Sequence, residues 1–138
     1  MPNLSFPSLT GLTDLAEALS DAGRTTEALA VVERVEPSEA GWLTPELLRV
    51  KGTLLLLQNT PAAPEAAEDR FRQAIDVARQ QKALSWELRA ATSLARLLRD
   101  QGHSADATAL LKPVFERFTE GYDTADLKAA RALLDALR

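Results

Sequence analysis

The sequence predicts an all-α chain folded as a stack of helical hairpins, and three observations carry that reading. Apolar residues recur at spacings of three and four along most of the 138 residues. The 46% apolar content is built mostly from Leu and Ala, with few aromatic or β-branched residues, which favours helix throughout. One helix–turn–helix unit also returns along the chain. The clearest copy runs from Trp86 to Leu111, and the alanines that open the core stripe of each second helix, Ala28, Ala67 and Ala107, are 39 and 40 residues apart.

Met1 to Gly11 contains Pro2, Pro7 and Gly11 and reads as irregular. Leu4 and Phe6 are one of two candidate covers for the first hairpin, the other being a second copy of the chain. Thr13 caps a short helix to about Ala22, and a second runs from Thr25 or Thr26 to Val35, making a hairpin over about 13–35. Pro37 to Leu43 is a connection. Thr44-Pro45-Glu46 supplies a capping hydroxyl, a proline at the first helical position and an acid in the first turn, so a helix is expected from there to about Gln58. The run NTPAAP, Asn59 to Pro64, is a loop. A helix from about Pro64 to Gln81 turns Ala67, Phe71, Ala74, Ile75 and Ala78 inward and completes a hairpin over 44–81.

The third hairpin, 83–118, places Leu88, Ala91, Leu94, Ala95 and Leu98 on one face of its first helix. Gly102 ends that helix, because glycine adopts the left-handed conformation found at helix ends. Ser104 is expected to cap the second helix, which turns Ala107, Leu110, Leu111, Val114 and Phe115 inward. So short a turn makes the two helices antiparallel. A closing helix over about 124–137, capped by Asp123 or Thr124, carries Leu127, Ala130, Leu133, Leu134 and Leu137 at a spacing of three and four. It is expected to cover the last hairpin, as the ends of repeat arrays require. The total is about seven helices in one domain, 1–138.

Aligned on the third hairpin, Leu12, Leu48 and Ala91 stand where the helical repeat W-x2-L-G-x2-Y…A-x3-F has its tryptophan, and Leu19, Leu55 and Leu98 where it has its tyrosine. Gly52 keeps the glycine and Phe71 the phenylalanine. Over nearly its whole length the chain therefore resembles a divergent tetratricopeptide array, with a period longer than the usual ~34 residues. The segments ELLRVKGTLLL, RFRQAIDVARQQ, SWELRAATSLARL and FTEGYDTADLKAA, within about residues 46–134, further resemble the C-terminal repeat arm of large bacterial signalling ATPases and winged-helix or cyclase-type regulators. These resemblances imply a right-handed solenoid. They also imply a non-catalytic protein–protein interaction or regulatory module in signal transduction, with a protein or peptide partner. The upstream domains of such regulators have no matching residues here, so none of their chemistry carries over.

Composition narrows the function. A net charge of −4 argues against binding nucleic acid through its phosphates. The acid excess is local: residues 1–50 hold 3 basic and 8 acidic residues, while residues 86–138 hold 8 of each. There is no cysteine, hence no disulfide framework or thiol chemistry. The start lacks the basic-then-apolar pattern of a secretory signal, and the longest apolar run, Leu54 to Leu57, is far too short for a bilayer, so a cytoplasmic setting without membrane contact is expected.

Residues with chemistry are sparse. The glycines are isolated, so no phosphate-cradling motif exists. His103, the sole histidine, reads as an exposed turn residue with no second metal ligand. Asp123 and Asp126 suit the start of the last helix. Tyr122 reads as packing under that helix, and Trp42 and Trp86 as wedges between hairpins. No cofactor, metal site or nucleophile–base set is visible, so an enzyme is not expected. The tetratricopeptide resemblance implies that the first helix of each hairpin lines a concave face, here Glu46, Arg49, Thr53 and Leu56, then Arg89, Thr92, Arg96, Arg99 and Asp100. The plain reading of that set is a solvated face with local pairs such as Arg96 with Asp100. The alternative function is a small-ligand sensor, whose groove arginines hold an anionic metabolite through their planar guanidinium forks. Leu12, Leu15 and Leu19 of the first hairpin form an apolar end, so either a weak homodimer through that hairpin or its occlusion by Leu4 and Phe6 is expected.

Overall fold

The computed structural model describes residues 18, 21–35 and 41–138, which are all-helical, with no strand among them. Six α-helices follow in order: α1 (Thr25–Glu33), α2 (Thr44–Leu57), α3 (Ala63–Gln80), α4 (Leu84–Asp100), α5 (Ser104–Phe115) and α6 (Ala125–Ala136). A 3₁₀ turn, Gly41–Leu43, leads into α2. The expected first helix, with Thr13 and Leu12, Leu15 and Leu19, and the cover by Leu4 and Phe6 lie outside the described residues. Ala18 and Asp21 are helical, and the Ala22 N–H donates to the Ala18 carbonyl at 3.1 Å.

Each helix packs on the next in sequence. In addition α2 touches α4, and α4 touches α6. The even helices thus share one layer and the odd ones pack behind it. Directions follow from three contacts. Gln81, just after α3, donates to the Gly41 carbonyl just before α2, so α2 and α3 are antiparallel. Trp42 and Trp86 meet at the starts of α2 and α4, and Arg89 of α4 pairs with Asp126 in the first turn of α6. All three even helices therefore begin at one end of the molecule.

The helical stripes decide what is buried. Leu88, Ala91, Leu94, Ala95 and Leu98 of α4 join Ala67, Phe71, Ala74 and Ile75 of α3, Ala107, Leu111 and Val114 of α5, and Leu127, Ala130 and Leu133 of α6 in one core. A smaller core joins Ala28, Leu29 and Val32 of α1 to Leu47, Val50 and Leu54 of α2, and Leu55 packs against both. The three repeat alanines, 28, 67 and 107, are all fully buried. Gly52 is small because a neighbour requires it: a Cβ there would lie 2.5 Å from the Phe71 ring.

Three turns share one backbone shape. Gly23, Lys82 and Gly102 are left-handed, each followed by a residue near φ −100° and then a new helix. After α3, the Lys82 N–H donates to the Arg79 carbonyl and the Ala83 N–H to the Ala78 carbonyl, and after α4 Gly102 and His103 repeat both bonds on Arg99 and Leu98. This is the Schellman closure, which satisfies carbonyls that the helix leaves open. Lys82, with φ 57°, occupies a position that suits glycine. Lys82→Gly is therefore expected to stabilise the fold by about 0.5–1 kcal/mol, the relief of left-handed strain less the chain entropy that glycine adds to the unfolded state. A lower urea midpoint for the variant would reject this turn.

Several expected boundaries move. Thr44 and Ser104 are the first residues of their helices rather than caps. The Thr44 hydroxyl donates back to the Gly41 carbonyl, and no side chain caps α2 or α5. Thr124 does cap α6, its hydroxyl accepting from the Leu127 N–H at 3.4 Å. Tyr122 is not packed under α6: it is half-exposed, with its ring against Phe115 and its hydroxyl donating to the Phe118 carbonyl.

Candidate functional site: the edge where the even helices begin

The alternating helix directions bring the starts of even helices and the ends of odd ones to one edge. Helix starts favour acids and helix ends favour cations. The chain follows that rule with Glu46, Glu87 and Asp126 in the first turns of α2, α4 and α6, and Arg79 in the last turn of α3. Two ion-pair chains result. Glu87 is only 2% exposed, yet one carboxylate oxygen accepts from Arg79 at 2.9 Å and the other from Arg117 at 3.0 Å. Glu46, also buried, accepts from Arg49 on its own helix and from Arg89 on α4, while Arg89 reaches Asp126 of α6 at 3.4 Å. Arg89 thus ties all three even helices together.

Aromatic rings continue this edge. The Arg89 guanidinium lies 5.8 Å from the centre of the Trp86 ring, within cation–π range. Trp86 and Trp42 are 6.3 Å apart, tilted by 36°. Trp42 remains 67% exposed, the most exposed large apolar side chain among the described residues. A wedge between hairpins would be buried, so that expectation holds for the Trp42–Trp86 contact but not for the outer face of Trp42.

The nine residues expected to line a concave face divide into groups. Glu46, Arg49 and Arg89 converge as described, their charges committed to one another and to Asp126. Thr92 is buried and its hydroxyl donates to the Leu88 carbonyl at 2.8 Å, so it lines no open groove, contrary to expectation. Thr53 likewise turns its hydroxyl to the Arg49 carbonyl, and Leu56 packs half-buried against the core. Such back-bonding is how hydroxyls inside helices are commonly satisfied. Arg96, Arg99 and Asp100 are exposed, and Asp100 pairs with Arg99 at 3.1 Å rather than with Arg96. Sequence reading passed over Glu87, Arg79 and Arg117. The signal that finds them is the helix-dipole rule applied to consecutive antiparallel helices.

At the opposite end, a cavity of about 600 Å³ opens between Gly23–Glu27 and Leu57–Thr60. There Arg24 holds the Glu27 carboxyl below its ordinary range through a direct hydrogen bond, and both side chains are exposed. His103 is exposed in its turn, and no group of three metal-ligating side chains occurs among the described residues. No described helix is long and apolar enough to cross a membrane. No protein-family model matches the chain, and neither a curated protein nor a solved structure is significantly similar to it.

Proposed function

We propose that this chain is a non-catalytic protein-interaction module, a divergent tetratricopeptide-like stack of hairpins that presents the Trp42–Trp86–Arg89 edge to a protein partner. The carrying observation is an exposed tryptophan fixed in place. Trp42 leans on Trp86, Trp86 lies under Arg89, and Arg89 is held by Glu46 and Asp126. Tryptophan and arginine dominate the energetic centres of protein interfaces. An aromatic side chain already immobilised loses little freedom on binding. The stack reading is supported by the buried alanines at spacings of 39 and 40, the shared turn geometry and the even-layer contacts. A signalling role in the bacterial cytoplasm rests on the sequence resemblance alone.

The sensor alternative draws less support, because Arg49 and Arg89 already have carboxylate partners and only Arg96 of the groove arginines lacks one among the described residues. A photocrosslinking residue placed at position 42 is expected to trap a discrete protein partner in cells, where the same residue at exposed Gln101, past the far end of α4, traps none. Trp42→Ala should lower the yield of a crosslinker at position 86 at least tenfold while leaving unfolding stability within about 0.5 kcal/mol. Equal yields from positions 42 and 101 would sink the proposal.

A further inference from the structure

Away from the Trp42 edge, α5 and α6 enclose a groove of about 410 Å³. Phe115, Leu134 and Leu137, all partly buried, supply its apolar lining. Its rims carry charge in a fixed order. On α5 a cation, Lys112, is followed four residues later by an acid, Glu116, and on α6 Arg131 is followed four residues later by Asp135. Thr108 near the start of α5 and Arg138 just past α6 line the same groove, so the two helices run antiparallel. Among the described residues Lys112, Glu116 and Arg131 have no ion-pair partner. Asp135 has only Arg138 at 3.7 Å, and both of those side chains are largely exposed.

We propose that this groove docks a second copy of the chain, face to face, about a two-fold axis running along it. Rotation about that axis lays α5 of each copy over α6 of the other, antiparallel. The shared charge order then sets Glu116 against the other copy's Arg131, and Lys112 against its Asp135, each pair occurring twice. An interface that complements itself is what a two-fold dimer demands, and four helices around an apolar seam are a common way to bury such a strip. Opposite charges facing each other select this pairing, since like charges there would repel. The contact is small. Two helices about 18 Å long and about 10 Å wide offer roughly 700 Å² in total, below the ~1,200 Å² of stable complexes, so association is weak and concentration-dependent.

Sedimentation of the full chain over a concentration series tests this. The average mass is expected to rise toward twice that of the monomer. Glu116→Arg and Arg131→Glu should each move the association midpoint at least ~tenfold higher in concentration, since each sets like charges together twice. Both residues are exposed, so the unfolding midpoint should hold and report that the fold is intact. Mixing the two variants should restore association as a heterodimer, because arginines at 116 and 131 of one chain then face glutamates at 131 and 116 of the other. Trp42→Ala should not move the midpoint, which separates this dimer from the partner contact proposed above. A wild-type chain that stays monomeric throughout overturns the proposal, as it would if residues 1–17 or an unrelated helix filled the groove. Variants that associate normally, or a mixture that fails to restore association, overturn it too.

Discussion

Replacing Arg79 and Arg117 together with leucine is expected to destabilise the fold by about 3–5 kcal/mol, read by urea denaturation at neutral pH. The two arginines are the partners of Glu87, whose carboxylate is almost wholly removed from water while they remain 53% and 56% exposed. The burden therefore lies on the acid. Without either cation, Glu87 is left as a buried charge with no partner, the costly way to break a buried ion pair. Each single substitution leaves one arginine in place and should cost only about 1 kcal/mol, so the pair is strongly non-additive. Glu87→Gln should cost about 1–2 kcal/mol, because the amide keeps an acceptor and the freed arginines return to water. A double variant within about 1 kcal/mol of wild type at neutral pH would mean that water reaches Glu87 and that the ion-pair chain is ornamental.

That chain also marks where sequence reading ran out. Periodicity found the buried stripes, because burying an apolar side chain acts on every turn of a helix in the same way: Leu88, Ala91, Leu94, Ala95 and Leu98 all lie inside. Gly102 was legible because few residues other than glycine adopt φ +83° without strain. Lys82 takes the same turn with no compositional cue, since the preceding helix's Schellman bonds outweigh its preference. Thr92 was misplaced by a few tens of degrees around α4, near the border between core and surface, where its hydroxyl is satisfied by its own helix. Arg89 and Glu46 were singled out from their place in the repeat. Their joining, and the role of Asp126, depend on how α2, α4 and α6 lie side by side, which no local pattern encodes. Trp42 shows the same limit: its ring packs on Trp86, 44 residues later, and only the fold reveals that its other face is open.

Phe71→Ala is expected to cost about 3–5 kcal/mol, the range for emptying a buried aromatic site. Phe71 is among the largest fully buried side chains in the described structure, and its ring fills the hollow that Gly52 leaves on α2. The two positions depend on each other. A Cβ at residue 52 would sit 2.5 Å from one ring carbon and 2.9 Å from the next, closer than such contacts tolerate, and the ring is hemmed in by the core on its far side. Alanine is worth about 1 kcal/mol more than glycine within a helix, while overpacking a dense core costs about 1–3 kcal/mol. The clash should prevail, leaving Gly52→Ala up to about 2 kcal/mol less stable than wild type. Phe71→Leu, which removes the offending ring edge, should convert Gly52→Ala from harmful to neutral or stabilising. A double-mutant cycle by chemical denaturation should then show coupling of at least about 1 kcal/mol. Additive effects would mean that α2 and α3 do not meet at this pair, and the register of the second hairpin would have to shift along the helix.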